Sequence, residues 1–277
     1  MSLTRDDEPK LQASFQSLPV YFWEQGNDKG QDQFDNIAEE VAIALVYNGI
    51  SHAVMMASPA NLQEFCLGFS LSEGIINNAS EMYDIELVPS EKGIEVRIEI
   101  SSQRMMSLKS LRRSLTGRTG CGLCGSESLE QAIRPIKSVI PQVLPSSLVI
   151  QHALSQLSEH QKLQSLTGAV HGAAWCDGVG DIMLLREDVG RHNALDKLIG
   201  ALALLKTNTD NGFVLISSRA SYEMVQKVTS MNIATLVAVS APTALAIRLA
   251  TQAKLNLIGF ARPSRCPLYT SPSPRDS

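Results

Sequence analysis

The sequence predicts an α/β fold, with a larger C-terminal α/β domain over 148–265 and a smaller N-terminal α+β region over 37–135. Two observations carry this. Beyond Val170, apolar runs alternate with segments of helical period, the pattern of a sheet with parallel strands and covering helices. Before Pro135, apolar runs come in pairs around turn dipeptides, which is how hairpins read. Residues 1–36 form a polar N-terminal segment in which only Val20 to Trp23 suggests a short strand.

From Val41 the elements follow in order. Val41 to Tyr47 and Ile50 to Ala57 flank Asn48-Gly49, a type I′ hairpin signal. Ser58-Pro59 offers an N-cap and a first-turn proline for a helix through Asn61 to Leu71. Strands near Ile85 to Val88 and Ile94 to Ile100 turn at Lys92-Gly93, and a helix from Gln103 to Leu115 leads into the loop 117–125. Pro135, Pro141 and Pro145 mark 136–147 as a linker. Strands then read at Val170 to Cys176, Asp181 to Arg186, Phe213 to Ser217, Leu236 to Val239 and Leu255 to Phe260. Helices read at Asn193 to Leu205, Tyr222 to Met231 and Pro242 to Ala253. No internal repeat interrupts this series. The tail 266–277, CPLYTSPSPRDS, resembles the translation of a sequencing-library adaptor. It is expected to be non-native or disordered, so Cys266 is given no role.

Composition narrows the function. A chain of 277 residues that is 44% hydrophobic and 19% charged is ordinary for a soluble globular protein. No apolar run approaches the roughly 20 residues that span a bilayer. The start MSLTRDDEPK lacks the marks of a signal peptide. A cytoplasmic protein without a membrane partner is expected, and a net charge of −4 argues against a generic nucleic-acid binder. Five cysteines, an odd number, do not suggest a disulfide framework.

Chemistry is expected at Cys121-Gly122-Leu123-Cys124. Glycines at 117, 120, 122 and 125 clear side chains from around the sulfurs, as suits an exposed, movable loop. Ser101 to Ser126 holds no Asp or Glu, while Arg104, Lys109, Arg112, Arg113 and Arg118 supply cations that favour the thiolate. Ser126 or Ser128 could cap a short helix through Ala132 whose dipole acts in the same direction. A reactive thiol is preferred over half of a zinc site, a thioredoxin-like redox pair and plain structural cysteine. Zinc would need two more ligands; no second C-x-x-C or H-x₃₋₅-H supplies them, though His171 and Cys176 could be recruited by folding. The basic helix reads equally as a docking surface and as a solvated face.

Three segments are candidate anion sites. Arg186 to Lys197 crowds polar groups where a strand yields to a helix, with Arg191 as a phosphate partner and Asp188 as an acceptor for a guanine. Ser217 to Ser221 repeats this geometry with Ser218 and Arg219. Phe260-Ala261-Arg262-Pro263-Ser264-Arg265 sets two arginines beyond a terminal strand. Each alone reads as a capped helix with surface ion pairs; three together suggest a ligand with several phosphates. Cys66, Cys176, His52 and His171 are expected to be structural. There is no Walker loop, G-x-G-x-x-G or H-E-x-x-H.

Several of these segments together resemble one family. Asn48 to His52, Gly68 to Gly74, the Cys121 loop, Glu187 to Lys197, Ser217 to Lys227 and Phe260 to Arg265 are similar to the formate dehydrogenase accessory proteins of the FdhD family, over about Asn36 to Arg265. The resemblance implies a homodimeric sulfurtransferase whose larger domain is similar to the cytidine deaminase fold. It implies that Cys121 accepts persulfide sulfur from a cysteine desulfurase, assisted by Cys124. It further implies delivery to the molybdenum of the bis(molybdopterin guanine dinucleotide) cofactor, the bound client, for the catalytic subunit of formate dehydrogenase, with no metal of its own. Phe260 to Arg265 then matches the cofactor-binding segment, and the chain departs from the family after Arg265. Two other classes compete: a cofactor-binding chaperone that needs neither cysteine, and a zinc deaminase-like hydrolase. The latter wants a glutamate in H-x-E that His171-Gly172-Ala173 lacks.

Overall fold

The computed structural model describes residues 13–23, 30–116, 136–262 and 265–270, and their side chains except those of 111–116. Strands β1 (Phe15–Phe22) and β2 (Gln31–Ala38) form an antiparallel ribbon. β3 (Val41–Tyr47), β4 (Ile50–Ala57), β5 (Met82–Ser90) and β6 (Gly93–Ile100) make a four-stranded sheet in the order β4-β3-β6-β5. Helix α1 (Leu62–Ser72) follows β4 and α2 (Ser102–Thr116) follows β6. The remainder is α3 (Ser147–His160), α4 (Lys162–Thr167), β7 (His171–Asp177), β8 (Ile182–Asp188), α5 (Arg191–Leu204), β9 (Gly212–Ile216), α6 (Tyr222–Ser230), β10 (Thr235–Ala238), α7 (Ala244–Ala253) and β11 (Asn256–Ile258).

Local chemistry explains these elements. β3 alternates buried and half-buried residues, and Ile43, Leu45 and Tyr47 are fully covered, the period-2 signature of a sheet with one face on a core. Asn48 and Gly49 both take positive φ (45° and 77°), as a type I′ turn requires. The second sheet runs β11-β10-β9-β7-β8, with β9, β10 and β11 parallel and β7 antiparallel to both neighbours. It is therefore mixed. One apolar cluster runs from the inner face of the first sheet through α1 and α5, α6 and α7 to one face of the second. A second cluster under α3 covers the other face. The two halves expected from the sequence share their main core.

The closest join within that core is between helices. A Cβ on Gly68 of α1 would stand 1.7 Å from the Asp196 carbonyl oxygen of α5, and one on Gly200 of α5 would stand 1.8 Å from the Glu64 carbonyl oxygen of α1. Glycine at both positions lets the two backbones touch.

The sequence reading differs from the structure in four places. The ribbon β1–β2 takes the place of the single short strand, because Gln31–Ala38 is polar and exposed and shows no apolar run. Helices α3 and α4 lie where no helix is predicted, although Ile150, Ala153 and Leu157 carry the period and Ser146 caps the first of them. Ser58 does not cap α1; the cap is Asn61 in the left-handed region (φ 57°), and Ser58 is buried elsewhere. The first residues of the expected tail lie along β11, where Tyr269 N–H donates to the Leu257 carbonyl at 2.9 Å and Leu257 N–H to Thr270 Oγ1 at 2.7 Å. Among the described residues no helix is long and apolar enough to cross a membrane.

Substitution of either helix glycine tests the crossing. Gly68→Ala and Gly200→Ala should each lose at least about 3 kcal/mol in urea unfolding, since overpacked backbone cannot yield cheaply. Gly74→Ala, with open space around it and only a φ of 66° to resist, should lose about 1 kcal/mol.

Candidate functional site

The expected anion sites gather along one edge of the second sheet. Because β7 runs opposite to β8 and β9, its first residue, His171, lies at the same edge as the last residues of β8 and β9. Across this edge stand Phe260 to Arg262 after β11, Ser240 after β10, Ser217 to Arg219 after β9, His171, and Asp188 to Arg191 after β8. Five strands span about 20 Å at the usual spacing. Backbone bonds knit the rim together: Ser217 N–H to the Gly172 carbonyl at 3.0 Å, Ser240 N–H to Ser218 at 3.4 Å and Phe260 N–H to Ser240 at 3.1 Å.

Arginines stand at three of these strand ends. Arg191 opens α5, Arg219 is exposed after β9, and Arg262 and Arg265 exchange backbone bonds of 2.8 and 2.9 Å. Arg265 lies over the Phe260 ring, 5.6 Å from its centroid, and Phe260 takes a φ of 49° to turn the chain out of β11. None of the four has a carboxylate partner among the described residues. Ala261 is buried and its N–H bonds the Ala238 carbonyl, so it is a backbone anchor. Ser218 is 6% exposed and its hydroxyl donates to the Arg219 carbonyl at 3.2 Å. Pro263, Ser264, Cys121 and Cys124 lie outside the described residues, as do Arg118 and the short helix expected after Ser126.

Asp188 does not serve as expected. Its carboxylate is wholly buried and every direction is taken: Oδ2 by Lys197 Nζ at 2.6 Å and Ser58 N–H at 3.0 Å, Oδ1 by Gly190 N–H at 2.8 Å and Asn193 Nδ2 at 3.0 Å. Nothing remains to accept from a guanine. The residue instead sets the β8–α5 turn. Burial pulls the Lys197 ammonium below the ordinary lysine range, and the Asp188 charge opposes that pull. A second buried cation, Lys227 of α6, meets both Asp196 oxygens at 2.9 Å, Ser72 Oγ at 2.9 Å and Glu73 at 3.0 Å. Burial works against its charge, but these carboxylates outweigh it and hold the ammonium above its usual range.

The sequence reading missed Ser58, Lys197 and Lys227. The two lysines sit on apolar faces, Lys197 beside Ala194, Leu198 and Ala201 and Lys227 beside Met224 and Val228. That placement is the only signal in the sequence that could have found them. Ser58 carried none beyond its resemblance to a cap.

Two histidines border the rim. His192 Nε2 lies 2.6 Å from Glu223 Oε2, and His171 stands across from Asp188 in the β7–β8 register. Burial and the Arg191 charge lower both below the ordinary histidine value, while nearby carboxylates raise them less. The described cysteines Cys66 and Cys176 are fully buried, as expected, and burial pushes their thiols up, away from reactivity. Burial raises Cys266 as well. Among the described residues no three His, Cys, Asp or Glu side chains are grouped to hold a metal ion.

The chain is similar to known proteins along most of its length. A family model described as the FdhD/NarQ family matches residues 38–275, so the match runs past Arg265, where the chain was expected to leave the family. A protein of Cupriavidus necator named sulfur carrier protein FdhD is 57% identical over 238 residues, 86% of this chain and 83% of that one. A protein of the same name from Bordetella petrii is 50% identical over 240 residues, covering 87% and 86%. A crystal structure from Desulfotalea psychrophila, assigned as a formate dehydrogenase accessory protein, covers 94% of this chain and 98% of its own. Its TM-score is 0.73 at 22% identity, a likeness of fold.

The electrostatics predict two outcomes. His171 and His192 titrate lower folded than their ordinary 6.5, so their stabilising share is full above that pH and is lost as pH falls. The urea midpoint should drop from pH 7 to pH 5, and the variant His171→Gln/His192→Gln should show a smaller drop. Lys227→Met leaves Asp196 buried without its cation and should cost about 3–5 kcal/mol in the same measurement at pH 7.

Proposed function

We propose, because the chain belongs to the FdhD/NarQ family, that it is a sulfur carrier in which Cys121 bears the sulfur and Cys124 assists. In this reading a cysteine desulfurase supplies the sulfur, and the recipient is the molybdenum of a bis(molybdopterin guanine dinucleotide) cofactor destined for formate dehydrogenase. The observation that carries it is the 57% identity over most of the chain to a protein named as a sulfur carrier. The burial of Cys66 and Cys176 adds to it, because neither thiol can meet a second protein.

The chemistry is thiol exchange. The Cys121 thiolate attacks the outer sulfur of the desulfurase persulfide, the desulfurase sulfur–sulfur bond breaks, and its thiolate leaves. Arg104 is committed to Glu81 at 2.9 Å, which leaves Lys109 and the later cations of the basic stretch to favour the thiolate. The Cys124 thiolate then attacks the Cys121 sulfur, the carried sulfur leaves as sulfide, and the Cys121–Cys124 disulfide so formed is returned to thiols by an external thiol reductant.

Arg191, Arg219, Arg262 and Arg265 are the groups suited to the client's phosphates. A row about 20 Å long fits a ligand with phosphates in several places, as a pair of guanine dinucleotides has. Asp188 is removed from the recognition set, and guanine selection falls to other groups of the rim. The mixed five-stranded sheet under the rim supports the cytidine deaminase-like reading of this half. The protein is further taken to act in the cytoplasm as a homodimer.

Incubation with a cysteine desulfurase and cysteine should add about 32 Da to the peptide holding Cys121, read by mass spectrometry. Cys121→Ala should abolish this label and the activation of formate dehydrogenase. If that variant still activates the enzyme, sulfur transfer is wrong and a cofactor-binding chaperone takes its place.

A further inference from the structure

Ser58 stands one residue beyond β4, in the N-terminal half, yet its three polar groups all bond to the C-terminal half. Its N–H donates to Asp188 Oδ2 at 3.0 Å, its hydroxyl oxygen accepts from Val189 N–H at 3.1 Å, and its carbonyl accepts from Lys197 Nζ at 2.9 Å. Two residues earlier, the Met56 carbonyl accepts from Asn193 Nδ2 at 2.8 Å. Ser58 itself is fully buried.

All four bonds fall on the segment that carries Arg191. Asp188 ends β8, Val189 and Gly190 form the turn, and Arg191 opens α5. Ser58 holds Val189 N–H inward and Asp188 Oδ1 holds Gly190 N–H inward. Gly190 is the helix cap and brings no side chain, which leaves the first-turn N–H groups of α5 uncapped beside Arg191. A Cβ at position 190 would stand 2.7 Å from Asn193 Nδ2, so the amide that bridges Met56 and Asp188 requires glycine there. The attitude of this turn, and of the guanidinium that follows it, is thus set from β4.

We propose that Ser58 is a positioning residue for anion binding at the rim, through which the end of β4 sets how Arg191 meets a phosphorylated ligand. Loss of the hydroxyl takes the partner from the part-buried Val189 N–H, and the turn rotates to give it another. That rotation moves Arg191. The inference rests on the rim reading of the preceding subsection.

Calorimetric titration of the full chain with guanosine diphosphate tests it. Ser58→Ala should weaken binding about tenfold, the worth of one buried hydrogen bond, while Ser58→Thr, which keeps the oxygen, should stay within about twofold. Ser70→Ala is the control: its hydroxyl is equally buried, between Tyr47 and the Cys66 carbonyl, and far from the turn in sequence. It should lose stability without losing affinity. Equal affinity for Ser58→Ala and wild type overturns the proposal, as does a Ser70→Ala loss as large as that of Ser58→Ala. If Ser58→Ala does not fold, hydrogen exchange on the wild type decides. Guanosine diphosphate should slow exchange at Ser58 and Val189, and unchanged rates there overturn the proposal. Wild type that binds no guanosine diphosphate defeats the rim reading itself, and the inference falls with it.

Discussion

The contact between the backbones of α1 and α5 governs the rest of the molecule. Helix axes ordinarily stand 8–10 Å apart because side chains intervene. At Gly68 and Gly200 none do, and each helix presses on a carbonyl of the other. This closeness brings Asp196 within reach of Ser72 (2.7 Å) and lets one cation, Lys227, bind residues from both helices. The first sheet and the second are joined through these two helices, so their shared core depends on two missing methyl groups.

Adjacent residues of α5, Asp196 and Lys197, carry opposite charges in opposite directions. Asp196 turns toward Lys227 and the end of α1; Lys197 turns toward Asp188 and the end of β4. Buried ion pairs contribute little net stability, because desolvation offsets most of their attraction. What they give is register. A helix that slid or rotated on its neighbours would strand two charges in an apolar interior. That cost restricts α5 to one seating, and the rim at its N-terminus inherits the precision.

Much of this architecture was legible in the sequence. The hairpin at Asn48-Gly49, the β7–β11 alternation and the arginines at strand ends all rest on local signals, and local physics decides them. The failures share a cause. Ser58 reads as a cap because serine suits that position before a first-turn proline; the partners that claim it lie 130 to 139 positions away. Asp188 reads as an open acceptor because nothing nearby in sequence shows that Lys197 and Ser58 converge on it. Gln31–Ala38 pairs through its backbone, which leaves no apolar trace. Long-range polar satisfaction is invisible to periodicity, and it is what fixes the β8–α5 turn.

The shared core also has a consequence in time. α1 ends at Ser72 and α5 begins at Arg191, 119 positions later (191 − 72). At a synthesis rate of about 5–20 residues per second, the ribosome needs roughly 6–24 s to produce that interval. Throughout it the Gly68 groove and the apolar residues beside it have no partner from α5. The nascent chain therefore passes through a waiting period in which this apolar surface is made but not yet covered, the condition in which a growing chain is most open to aggregation.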